Sequence, residues 1–151
     1  MSTLKPPTLR VDLKLCTGCR SCTIACALSH EHHLAFQTAR IRVEKNFPAM
    51  KTPIFKPVFC RMCRNARCIV ACPTGALTED PATGMVNLNG ALCDGCGECV
   101  TACPFDAIWL DERRGVAIKC DLCGGDPACV RACAPGALVF DGVKTALQQG
   151  R

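Results

Sequence analysis

The stretch CDGCGECVTACP, residues 93–104, puts four cysteines into eleven positions at spacing C-x2-C-x2-C-x3-C, with Pro104 directly behind the last. Three further stretches nearly repeat it. CTGCRSCTIAC carries Cys16, Cys19, Cys22 and Cys26, and CRMCRNARCIVACP carries Cys60, Cys63, Cys68 and Cys72. CDLCGGDPACVRAC carries Cys120, Cys123, Cys129 and Cys133. Together with Cys93, Cys96, Cys99 and Cys103 these account for all 16 cysteines of the 151-residue chain. Each packet opens on C-x2-C and closes on C-x3-C.

So many thiols in so short a chain mark a scaffold held by cross-links or metal, because an apolar core of this size is modest. Disulfides belong to exported chains. The beginning MSTLKPPTLRVDLKLC has no apolar signal region, and Arg113-Arg114 is internal and so no twin-arginine signal. No run of 18 apolar residues is present to span a membrane. The expectation is a reduced, soluble, cytoplasmic chain whose cysteines ligate metal.

Zinc would need C-x2-C pairs meeting in fours, and C-x2-C-x2-C leaves a middle thiol over. Thioredoxin-type redox chemistry needs one C-x-x-C, not four. A 4Fe–4S cube fits better, since four thiolates hold it. In the C-x2-C-x2-C-x3-C-P run the first three cysteines wrap one cube, and the fourth ligates the neighbouring cube. That fourth cysteine is expected on a short helix. Gly18, Gly95 and Gly97 suit loops whose backbone N–H groups approach cluster sulfides closely. Four such cubes, each roughly −2 with its thiolates, would turn the formal +5 into about −3. The basic excess then balances cluster charge, and with no basic block interleaved with aromatics, nucleic acid is not expected as a partner.

Short elements should surround the packets. TLRVDLKL alternates like a strand, and ARIRVEK and ALVF are further strand candidates. ALTEDPATGMVNLN and AIWLDERRGVAIK read as hairpins, the second turning near Arg114-Gly115. SCTIACAL, RCIVAC, ECVTAC and ACVRAC read as short helices, each delivering a fourth cysteine, and residues 142–151 as a polar tail.

Among the other residues, none suggests catalysis: there is no Ser–His–Asp set and no phosphate loop. His30, His32 and His33 read as a solvated loop, with one histidine near a cluster where it could tune the potential. Trp109 reads as packing, and Met62, between two ligands, as a shield against water. Lys119 and Arg61 stand beside ligands, where a cation would raise a cluster potential; the alternative is plain surface charge.

With these motifs the chain resembles the four-cluster ferredoxin-like electron-transfer subunits that accompany molybdenum or tungsten oxidoreductases, some hydrogenases and carbon monoxide dehydrogenase. The resemblance covers about residues 9–141 and rests on all 16 cysteines, with CDGCGECVTACPFDAI, KCDLCGG and the PTGAL after Cys72 as its typical phrases. It implies an α+β fold of two ferredoxin-like dicluster modules, the second inserted in the first: residues 1–58 and 114–151 outside, 59–113 inside. It also implies four 4Fe–4S clusters. One would use Cys16, Cys19, Cys22 and Cys133, and another Cys120, Cys123, Cys129 and Cys26. A third would use Cys60, Cys63, Cys68 and Cys103, and the last Cys93, Cys96, Cys99 and Cys72. Sequence order alone would equally allow the first packet to pair with the second.

Two departures stand out: Cys26 is followed by Ala27, and Cys133 by Ala134 with the proline displaced to Pro135. As implied by the resemblance, the chain is a non-catalytic wire serving a catalytic metalloenzyme subunit. The compact length looks most like the small subunit of a tungsten aldehyde oxidoreductase. Hydrogenase or carbon monoxide dehydrogenase partners, or a free polyferredoxin, are the alternatives. A flavin- or NAD-linked subunit or a ferredoxin would be the second redox partner. A wire with two live ends could also associate head to tail.

Overall fold

A computed structural model describes residues 6–46 and 54–142. Within them lie eight short strands: β1 (Thr8–Val11), β2 (Arg42–Asn46), β3 (Ile54–Val58), β4 (Leu77–Glu79), β5 (Val86–Leu88), β6 (Ile108–Asp111), β7 (Val116–Lys119) and β8 (Leu138–Asp141). The helices are α1 (Ser21–Glu31), α2 (Arg67–Ala71), α3 (Glu98–Ala102) and α4 (Ala128–Arg131), with 3-10 turns at Phe36–Thr38 and Leu122–Gly125. This is an α+β arrangement of short helices and short antiparallel strands.

The strands pair into four separate antiparallel ribbons: β1 with β8, β2 with β3, β4 with β5, and β6 with β7. The first ribbon joins the two ends of the described chain, with Thr8 opposite Asp141 and Val11 opposite Leu138. Arg10 adds an ion pair to Asp141 at 2.9 Å. α1 packs on α4, and α2 packs on α3. Helices of four or five residues cannot persist alone in water; these are held by what they pack against.

Alternation explains which face each strand buries. Leu9, Leu77, Val86 and Leu138 point inward, while Arg10, Thr78, Asn87 and Val139 face out. The interior they reach is not a conventional core. Ile41, Phe59, Ile108 and Leu122 share it with Cys22, Cys26, Cys60, Cys99, Cys120 and Cys129.

Several expectations change. TLRVDLKL is a strand only in its first half. Asp12 then accepts the Lys14 N–H at 2.9 Å and turns the chain, leaving Leu13 and Leu15 exposed. β3 went unforeseen because Pro57, which cannot donate to a ladder, interrupts its pattern; an edge position in a two-stranded ribbon tolerates it. The helices carry the third cysteine of each packet, at Cys22, Cys68, Cys99 and Cys129. Only α1 is long enough to include the fourth, Cys26; Cys72 and Cys103 are C-caps, and Cys133 follows the cap. The histidine run is not simply a loop, because α1 continues through His30 to Glu31. Residues 143–151 of the expected tail lie outside the described residues. No helix among the described residues is long and apolar enough to cross a membrane.

Candidate metal centres

The thiols converge in four groups. Cys16 and Cys19, on the loop entering α1, and Cys22, in its first turn, line one cleft with Cys133. Cys63 and Cys68 both face Cys60 and Cys103. Cys99 faces Cys93, Cys96 and Cys72. Cys129 faces Cys120, Cys123 and Cys26, and lies near Cys22 of the first group. A further proximity, between Cys120 and Cys60, brings the second and fourth groups together.

Burial and backbone donors act oppositely on these sulfurs. Burial pushes the Cys22, Cys63, Cys99 and Cys129 thiols up, Cys68 to about 11 and Cys120 to about 12. Like charges nearby add to the rise, so thiolates crowded this way require a cation among them. Backbone N–H groups already point at several sulfurs: Arg40 to Cys26 at 3.1 Å, Leu122 to Cys120 and Ala117 to Cys93 at 3.4 Å, and Ala107 to Cys103 at 3.5 Å. Such donors favour the anionic ligand.

The loops are shaped for close approach. Gly95 has φ 73°, and a Cβ there would lie 2.4 Å from the Gly115 carbonyl oxygen. Gly18 has φ 72°, and a Cβ would meet the Phe55 ring at 2.3 Å. Grouped thiols, N–H donors to sulfur and Cβ-free loops fit 4Fe–4S cubes.

One charged network was not visible in the sequence. His30 Nδ1 lies 2.8 Å from the Cys26 carbonyl and 3.7 Å from its sulfur, while Nε2 lies 3.1 Å from Asp121 Oδ1. Arg40 holds the other Asp121 oxygen, and Asp121 accepts the Cys123 N–H at 3.0 Å. The hydrogen bond His30 donates to Asp121, then those to Cys123 and Cys26, raise His30 to about 12. Burial works to raise Asp121, but His30 and Arg40 win and hold it well below the usual carboxylate range. His30, Asp121 and Cys123 offer ligand atoms within 4.8 Å of one another, yet an imidazolium donating to a carboxylate has no lone pair for a metal. The i,i+4 spacing of Cys26 and His30 was the only available signal; Asp121 and Arg40 are distant in sequence.

The remaining candidates fall into place. Met62 is buried between the second packet's first two cysteines. Arg61 lies over the Phe59 ring at 4.8 Å. Trp109 is buried under the Arg42 guanidinium, 3.9 Å from its ring centre. Lys119 is 3% exposed, so it is no surface charge. His32 and His33 are exposed.

Comparison with known proteins agrees with this chemistry. A family model described as "4Fe-4S dicluster domain" matches residues 52–143, and one described as "4Fe-4S binding domain" matches residues 13–29. The chain is 42% identical over 118 residues to the polyferredoxin-like subunit of an aliphatic sulfonate oxidoreductase from Pyrococcus furiosus, covering 78% of this chain and 66% of the relative. It is 37% identical over 139 residues to the thiosulfate reductase electron transfer subunit PhsB from Salmonella typhi, covering 85% and 72%. The chain thus spans about two thirds to three quarters of these relatives. In fold it is similar to a chain of the active site complex BamBC of benzoyl coenzyme A reductase, with TM-score 0.51 and 23% identity over 89% of this chain and 78% of that one.

Proposed function

This chain belongs to the 4Fe-4S dicluster domain family, an iron–sulfur electron-transfer subunit of an oxidoreductase, and we propose that it carries four 4Fe–4S clusters as one linear wire. The observation that carries this reading is that the fourth cysteine of each packet interacts with another packet: Cys133 lines the cleft of Cys16, Cys19 and Cys22, while Cys103, Cys72 and Cys26 act electrostatically on Cys68, Cys99 and Cys129. Cys133 would complete the Cys16, Cys19 and Cys22 site, and Cys26 the Cys120, Cys123 and Cys129 site. Cys103 would complete Cys60, Cys63 and Cys68, and Cys72 would complete Cys93, Cys96 and Cys99.

Nested modules follow from that assignment, residues 1–58 with 114–151 outside and 59–113 inside. The β1–β8 ribbon and the α1–α4 contact support the outer module, and the α2–α3 contact supports the inner one. The β6–β7 hairpin has one strand on either side of the 113/114 boundary and ties the two. The proximities of Cys22 to Cys129 and of Cys120 to Cys60 give an order: first-packet site, fourth-packet site, second-packet site, third-packet site.

Bound cubes supply one-electron chemistry; the protein supplies position, burial and hydrogen bonds. Cys19 and Cys96 are exposed at the two ends, where electrons would enter and leave. The catalytic partner is proposed to be a tungsten or molybdenum oxidoreductase, with tungsten aldehyde oxidoreductase the specific reading; the naming of relatives as oxidoreductase subunits supports the class. Thiolates that must survive cluster assembly suit the cytoplasm. Metal analysis of the anoxically isolated complex tests this reading. Iron near about 16 per chain, four per cube, with tungsten or molybdenum present is the expected result. Zinc without iron would overturn it.

A further inference from the structure

Among the described residues, Lys119 is the one buried lysine or arginine. It ends β7, directly before Cys120. Its ammonium donates to the Val86 carbonyl and, at 2.7 Å, to the Cys120 carbonyl, and lies 3.8 Å from the Met62 sulfur. No carboxylate among the described residues forms an ion pair with it. A charge removed from water without an opposite charge is strongly unfavourable. Two carbonyl dipoles and a thioether do not neutralise it.

The missing negative charge is found on both sides. Lys119 interacts electrostatically with Cys68 of the second packet and with Cys120 of the fourth. Met62, which it touches, stands between Cys60 and Cys63, and Cys60 itself neighbours Cys120. The ammonium therefore sits at the junction of the two middle sites in the proposed order.

We propose that Lys119 is a potential-setting residue, a fixed internal cation that favours electron occupancy of the two middle centres of the wire together. Reduction of either centre adds one electron, and so one negative charge, with no bond made or broken and no proton moved. The electron comes from substrate oxidation on the catalytic partner of the proposed function. Because that added charge lies in a poorly screened interior beside a cation, removing the cation disfavours it at least about tenfold per centre, equivalent to about 59 mV for a one-electron couple. Electrons then rest at the middle of the chain, away from its exposed ends.

This inference rests on the cluster reading, and iron content of the wild-type complex tests that separately. The decisive experiment is an EPR-monitored potentiometric titration of the intact complex carrying wild-type chain, Lys119→Gln, Lys119→Met or Lys119→Arg. Two of the four reduction steps should move to lower potential in both neutral variants, two should stay, and Lys119→Arg should keep the wild-type values. Unchanged potentials in a fully loaded Lys119→Gln complex, or a uniform shift of all four steps, would overturn the proposal. Loss of iron from both neutral variants would assign Lys119 a purely structural role and overturn it equally.

Discussion

In the proposed nesting, the inner and outer halves of the molecule solve the same problem with different means. In the inner packets the last cysteine is followed by proline, Pro73 or Pro104, and sits at the C-cap of a five-residue helix. The proline ends the helix where, in that proposal, the ligand would turn toward the other packet. In the outer packets that proline is missing or displaced. There α1 runs on for eleven residues, and Cys26 lies inside it, buried, with His30 one turn further. The joint between packets is then fixed by the Cys26–His30–Asp121–Arg40 network instead of by backbone stiffness. Charge and hydrogen bonding have taken the place of a rigid turn.

The glycine loops offer the sharpest way to break this comparison. Gly95→Ala collides with a backbone carbonyl and forces a left-handed alanine. It should destabilise the inner module on the order of 3 kcal/mol and reduce iron loading. Gly18→Ala meets a phenylalanine ring that can turn aside, and should cost about 1–2 kcal/mol. Thermal unfolding and iron content under anoxia check both; equal effects would show that the two loops are equivalent.

A smaller effect is expected at the charged joint. Asp121→Asn removes the carboxylate that His30 and Arg40 share. Its side chain is 42% exposed, so solvent screening reduces the loss to about 1 kcal/mol, or about 3 °C in Tm. Hydrogen exchange should quicken in α1 and α4 while α2 and α3 keep their protection. Equal acceleration everywhere would mean that the network does not belong to the outer joint.

pH should separate the halves in the same direction. His30 is raised above its unfolded value, so its stabilisation is complete below about pH 6.5 and lost as pH rises through about 12. Asp121 is depressed, so its stabilisation is present above the unfolded value near 3.8 and lost only as pH falls well below it. Between about pH 3.8 and 6.5 the joint should hold constant, and above about 6.5 α1 amide protection, corrected for intrinsic exchange, should fall steadily toward pH 9; a flat profile from pH 5 to 9 would contradict it. The smallest effect is expected for Arg114→Ala. Its bidentate bond to Glu31 links the β6–β7 turn to α1 from an exposed position, and no measurable change in Tm is expected.

What was legible in the sequence followed from local spacing. Cysteines three or four apart, glycines between them and short alternating runs announced the packets, the loops, the four helices and two hairpins. Ribbon β2–β3 was half hidden by Pro57, and Asp12 ended β1 early, because single turn-forming residues outweigh a weak alternation. The charged joint and the burial of Lys119 were not legible. Asp121 is 91 residues from His30, and a lysine beside a cysteine reads the same whether it faces water or the interior. Only packing distinguishes those cases.

Crossing of the packets is most directly tested by counting iron in Cys26→Ala, Cys129→Ala and the double variant, all isolated anoxically. If Cys26 and Cys129 hold the same cube, each single variant loses about four irons and the double variant loses the same four. If each packet held its own cube, the losses would add, and the double variant would lack about eight.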